Sequence, residues 1–212
     1  MKKKFELTSE FVTNIFGTKL FRIKALIAFG YVEVGELGGY IEKEENLSQD
    51  GDAWVCGNAK VYGNAEVYGN AKVYGNAEVC GNAKVYGNAE VYGNAEVYGD
   101  AWVCGNAKVY GNAEVYGNAK VYGNAEVCGN AKVYGNADYA TIHGFGSGYR
   151  TSTFFRNQDG GISVRCGCFY GTLEQFRAKV KETHGDTKYA KEYLQIADLM
   201  ELHFKKEGET DV

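Results

Sequence analysis

Nowhere in the chain is there an apolar run approaching the roughly 20 residues that cross a bilayer, so no membrane span is expected. The basic start MKKKFELTSEF is likewise not followed by an apolar run of seven or more, and it does not read as a secretory signal. Both absences lead to the expectation of a cytoplasmic protein whose six cysteines are reduced thiols. A basic surplus is missing too. The net charge is −4 and no stripe of Lys or Arg runs along the chain, which argues against nucleic acid as a partner. Histidine is scarce, with three in 212 residues.

What the chain has in abundance is repetition. From Gly51 to Tyr134 it consists of fourteen unbroken copies of G-[ND]-A-x-V-[YC], followed by a degenerate fifteenth, GNADYA, at 135–140. A short fixed period of this kind predicts a solenoid. Within each copy A-x-V-Y alternates with period two, placing Ala and Val on one side and the variable residue and Tyr on the other. The Gly-Asn pair supplies a corner.

The charges at the variable position choose the number of sides. In a two-sided coil, neighbours twelve residues apart would stack about 4.8 Å apart, and seven of the nine charged neighbours would be alike. In a three-sided coil the neighbours are eighteen apart. Lys72, Glu90, Lys108 and Glu126 then alternate, and six of eight charged pairs attract. Strict alternation could also descend from a duplicated twelve-residue unit, so the charges favour three sides without excluding two.

The V-Y-G-N-A-K frame, an aliphatic residue followed four places later by a small one, resembles the hexapeptide repeat of left-handed parallel β-helix proteins. The stretch GELGGYIEKEENLSQDGDAWV at 35–55 resembles the leading segment of a bacterial and prophage hexapeptide-repeat group whose members are often labelled transferases. The resemblance implies an all-β solenoid, a three-sided left-handed parallel β-helix with 18 residues per coil and about five coils. The expected organisation is an N-terminal β cap at 1–50, the β-helix at 51–140, a loop and strand segment at 141–171 and an α-helical hairpin at 172–212. In the cap, LFRIKALI at 20–27 reads as a strand and LGGYIE as a turn. In the hairpin, Thr172 and Gln175 form a capping box for a helix ending near Gly185, and a second helix runs from about Thr187 to Lys206. The hairpin is expected to dock on the last coil. Many relatives of this repeat are trimers side by side, so the resemblance implies a homotrimer.

Residues 51–89 are identical to 99–137. Identical coils offer no unique constellation, so function is expected on a surface that gains from repetition or at the unique ends. Ten outward Tyr should form ladders. One face stacks Glu78, Glu96 and Glu114 beside Tyr98, Tyr116 and Tyr134, and these six residues are the candidate binding strip for a host protein or small ligand. Cys56, Cys80, Cys104 and Cys128 recur every 24 residues, which is not a whole number of coils. Even the two sharing a face are about 19 Å apart, beyond the roughly 7 Å limit for a disulfide, so free thiols are expected.

Acyltransferases of the resembled family use a His general base near a subunit boundary, with a loop thrown out from one coil. Only His143 lies near the repeats, directly after the degenerate copy, and acetyl-CoA is the implied co-substrate, but no loop interrupts the fourteen copies. The fold's metal-dependent carbonic anhydrases need several His on the coils, and an ice-binding solenoid would present ranks of Thr; neither pattern is present. Cys166, Cys168, His184 and His203 are weak candidates for a metal site, at a spacing that fits no strong pattern. The expectation is therefore a non-enzymatic binding or scaffold protein of phage or prophage type without a cofactor, one concrete form being interference with a host defence system. The alternative is an acyl-CoA-dependent acyltransferase using His143.

Overall fold

Each six-residue unit folds as a two-residue strand and a corner, and the units wind into a parallel β-solenoid of about five turns in the computed structural model, which describes residues 3–205. Three strands, β1 (Phe5–Thr13), β2 (Lys19–Ala25) and β3 (Leu37–Ile41), precede it. Fourteen rungs, β4 (Trp54–Val55) through β17 (Lys132–Val133), then recur every six residues. Every Ala and Val of the copies is buried. The corner requires glycine: Gly75 has φ +73°, and a Cβ there would lie 3.1 Å from the backbone N and O of Gly93 one coil on. Corner asparagines bind one another between coils, Asn58 Nδ2 donating to Asn76 Oδ1 at 3.2 Å and Asn76 to Asn94 at 3.1 Å.

The register is eighteen residues. Lys72 pairs with Glu90, Glu90 with Lys108 and Lys108 with Glu126, along one of three parallel sheets. Of the six attractive pairs expected, four lie in contact: Lys60 with Glu78 at 2.6 Å, Lys84 with Glu66 at 3.3 Å, Lys108 with Glu90 at 3.9 Å and Lys132 with Glu114 at 3.1 Å. The other two give way to residues outside the repeats. Lys72 turns its ammonium over the Tyr31 ring, 4.9 Å from the centroid, and Glu126 is taken by Arg165 at 2.9 Å.

The N-terminal end is closed by strands. β1 and β2 are antiparallel, β2 pairs with β3, and β3 joins the solenoid in parallel through Tyr40 with Lys60 and Ile41 with Val61. LGGYIE is thus a strand rather than the expected turn. The glycines serve close approach, since a Cβ on Gly39 would sit 2.6 Å from the carbonyl of Ala59. Side chains complete the edge. Buried Asn46 donates to the carbonyls of Gly63 at 3.1 Å and Ala65 at 2.9 Å. The buried Lys4 ammonium donates to those of Gly51 at 3.3 Å and Ala53 at 3.0 Å. Burial pushes the Lys4 pKa down to about 8, against the pull of Asp52 and Asp50.

At the other end β18 (Tyr139–Phe145), β19 (Arg150–Arg156), β20 (Ile162–Cys166) and β21 (Phe169–Thr172) form an antiparallel sheet in chain order. Adjacent residues of β19 face opposite ways. Phe155 joins the solenoid core, whereas Phe154 joins a second core with the helices. Helix α1 (Leu173–His184) starts at the expected capping box, Thr172 Oγ1 accepting from Gln175 N at 3.3 Å, and is followed by Gly185 in the left-handed region. Helix α2 (Lys188–Phe204) is capped by Thr187. The helix end expected at Lys206 lies outside the described residues. The hairpin does not sit on the last coil as expected. The sheet intervenes, because the loop and strand segment forms a layer with two apolar faces.

Asn46 has no exposed surface and satisfies two carbonyls of the first coil. Asn46→Ala should therefore lose about 2 kcal/mol or more of unfolding free energy, the scale of stranded buried acceptors, measured as a lower urea midpoint at an unchanged m-value.

Candidate binding faces and clefts

Outward tyrosines stack between coils as a direct consequence of the eighteen-residue register. Tyr68 and Tyr86 lie 4.9 Å apart between centroids, Tyr74 and Tyr92 4.8 Å, Tyr92 and Tyr110 4.9 Å, all with rings within 2° of parallel. Tyr98 and Tyr116 stack at 5.0 Å, but Tyr134 at the last coil turns edge-on to Tyr116. The hydroxyls have work as well. Tyr62, Tyr74, Tyr98 and Tyr110 donate to Glu78, Glu90, Glu114 and Glu126, each sixteen residues ahead, at 3.2, 2.9, 3.3 and 3.2 Å.

The structure brings Glu78, Glu96 and Glu114 into one row, in register on adjacent rungs. Their environments differ. Glu78 has Lys60 and the Tyr62 hydroxyl, and Glu114 has Lys132 and the Tyr98 hydroxyl. Glu96 has Glu on both sides, and the position sixteen before it is Cys80, which carries no hydroxyl. Among the described outward Glu of the repeats, it alone has neither an ion pair nor a tyrosine donor. Its carboxyl is pushed above the ordinary range, first by burial and then by Glu114 and Glu78, with Lys132 pulling back. The signal for this was in the sequence: a Cys sixteen residues before a Glu flanked by Glu at eighteen.

The repeat cysteines are free, as are Cys166 and Cys168. Burial is the main cause holding the thiols of Cys56, Cys80 and Cys128 above their usual pKa, so they stay protonated and unreactive. His143 lies exposed on β18, its Nδ1 3.1 Å from Thr151 Oγ1, and lines none of the five principal clefts. Of the four weak metal candidates, Cys166, Cys168 and His184 border one cleft of about 400 Å³ between the β20–β21 turn and α1. His203 packs against Phe204 near the far end of α2. Among the described residues no group of three or more His, Cys, Asp or Glu is placed to hold a metal ion.

A second cleft of about 400 Å³, which the sequence did not disclose, lies beneath the Phe29–Val32 bridge on the face of β4, β7 and β10. Tyr31 and Trp54 border it together with Glu36, Asp52 and Glu90, and Lys72 already lies over the Tyr31 ring. No helix among the described residues is long and apolar enough to cross a membrane. Comparison with protein-family models gives no match, and neither does comparison with curated proteins.

A carboxyl whose folded pKa is raised stabilises below its unfolded pKa and loses that contribution as pH rises through the folded value. Glu96→Gln should therefore unfold at a higher temperature than wild type at about pH 7, by about half a kcal/mol at most for so exposed a group. That advantage should vanish at about pH 3, where the carboxyl is neutral both folded and unfolded; melting curves at the two pH values check it.

Proposed function

We propose that the protein is a non-enzymatic binding protein whose solenoid wall meets a partner through the strip Glu78, Glu96, Glu114, Tyr98, Tyr116 and Tyr134. The observation that carries this is Glu96, a carboxylate with Glu on both sides and, among the described residues, neither an ion pair nor a tyrosine donor. A partner presenting Lys or Arg relieves that repulsion, and the flanking tyrosines add broad, half-apolar contact area. The partner class is a basic protein surface.

The repeat frame and the 35–55 segment support a finer reading, a left-handed hexapeptide-repeat protein of the bacterial and prophage group, assembled as a side-by-side homotrimer in the cytoplasm. On that reading the partner is a host protein, and interference with a defence system is the concrete role.

The test uses the full chain as bait in a bacterial lysate, with light scattering for its mass. Wild type should capture a basic protein in a salt-sensitive way and run at three times the mass of the chain. Glu96→Lys should lose the capture while melting no lower than wild type, because a cation between Glu78 and Glu114 makes the column from Lys60 to Lys132 alternate in sign at every rung. Equal capture by the variant removes the strip from the interface, and a monomer that captures nothing removes the binding reading.

A further inference from the structure

Four of the five arginines touch carboxylates: Arg22 with Glu10 at 3.2 Å, Arg156 with Asp138 at 3.3 Å, Arg165 with Glu126 at 2.9 Å, and Arg177 with Asp198 and Glu201 at 2.7 Å each. Arg150 alone has none among the described residues. It stands at the start of β19, on the rim of the cleft that Cys166, Cys168 and His184 border. Lys179 and His184 approach from α1, where residues 179, 180, 183 and 184 share one helical face. No Asp or Glu lines this cleft, in a chain of net charge −4.

Two carboxylates stand near the cleft without lining it, and one of them shares Lys179. Glu182 holds Lys179 at 3.1 Å on the exposed side of α1, and Glu192 accepts from the Gly146 amide at 2.9 Å and pairs with Lys188. The far wall is apolar, with Phe169, Phe176 and Val180, and Ser147, Thr183 and the buried Tyr193 supply hydroxyls. His184 lies across the Tyr193 ring at 5.7 Å.

The backbone on both sides of the guanidinium is of unusual conformation or closely approached. Tyr149, its neighbour, has φ +48°, and among the described residues no other non-glycine has a positive φ. On the opposite turn, a Cβ at Gly167 would lie 2.5 Å from Arg150 Nη1. The β18–β19 and β20–β21 turns thus meet at Arg150, which has no carboxylate partner among the described residues. A volume of about 400 Å³ is within the range of small-molecule sites.

We infer that this cleft binds a small organic anion, a carboxylate or phosphate head joined to an apolar body, with Arg150 and Lys179 on the head and the Phe169 and Phe176 wall against the body. Guanidinium forks suit both head groups. The inference does not depend on the solenoid strip.

The test titrates the full chain at low salt with benzoate, phenyl phosphate, inorganic phosphate and uncharged phenol, followed by amide chemical shifts and calorimetry. Benzoate or phenyl phosphate should saturate, whichever binds naming the head group, with shifts centred on residues 147–150, 166–169 and 176–184. Inorganic phosphate should bind at least about tenfold more weakly than the better of the two and phenol not measurably, because each lacks one half of the match. Arg150→Ala should weaken binding about tenfold or more, the scale of a lost charge-assisted contact, and Lys179→Ala several-fold. Both side chains are exposed, so the variants should melt as wild type does; should Arg150→Ala unfold, Lys179→Ala alone decides. Failure of both organic anions to bind, phenol binding as tightly as they do, or unchanged affinity in the deciding variant overturns the inference.

Discussion

Outside the two-residue strands, every backbone hydrogen bond between successive coils of the repeats points the same way. The N–H of Lys72 donates to the carbonyl of Ala89, that of Glu90 to Ala107, and so on up the prism. A stack with this bias has two chemically different ends: the first coil is left mainly with bare carbonyls, the last mainly with bare N–H groups. Unpaired backbone groups cannot be buried without large loss, and an open edge recruits foreign strands. No copy of the repeat can cure this, because each has the same two edges. The unique segments supply what is missing at each end. Donors come first: Lys4 Nζ, Asn46 Nδ2 and the amides of Tyr40, Glu42 and Ser48. Acceptors come last: Asn136 Oδ1 for Lys120 N, Thr153 Oγ1 for Glu126 N, and the Asp138 carboxylate for Tyr134 N and Gly135 N. The caps are not interchangeable, and the molecule is directional even though its middle is repeated.

The same register decides what happens to duplicated residues. The 48-residue unit is not a multiple of eighteen, so its second copy lands on a different face from its first. Trp54 lies under Phe5 and Phe29, with centroids 6.4 and 5.3 Å away, and is 4% exposed. Trp102, its copy, is 36% exposed, with the Lys120 ammonium 4.5 Å above the ring. One sequence has two fates, and the N-terminal cap makes the difference. Local sequence fixes the rung, while neighbours that are remote in sequence fix the environment.

This divides what could be read in advance from what could not. The inward Ala and Val, the eighteen-residue register and the capping box at Thr172 follow from period, charge and local chemistry, and the sequence carries all three. The fates of Lys72 and Glu126 do not, because Tyr31 and Arg165 reach them from segments with no period. Gly38 and Gly39 read as a turn because glycine permits one. The structure uses them to bring a strand against the first coil instead. Arg150 was invisible for a similar reason. Its setting needs the β18–β19 and β20–β21 turns and α1 to meet, and each piece alone is an ordinary polar loop or helix face.

Identical rungs should produce no unique site, yet Glu96 is one. Lys and Glu alternate through the repeats until Glu90 and Glu96 follow one another, just before the second unit begins at Gly99. That break puts Glu above and below Glu96. A hydroxyl sixteen residues earlier could still have compensated, as it does for the glutamates that follow a tyrosine at that spacing. Cys replaces Tyr at 56, 80, 104 and 128, and the residue sixteen ahead of Cys56 and of Cys104 is a lysine, which needs no donor. Only Cys80 falls beneath a glutamate. Two regular patterns of different spacing therefore fail together at the seam of the duplication, and the wall there carries a carboxylate with no ion pair among the described residues.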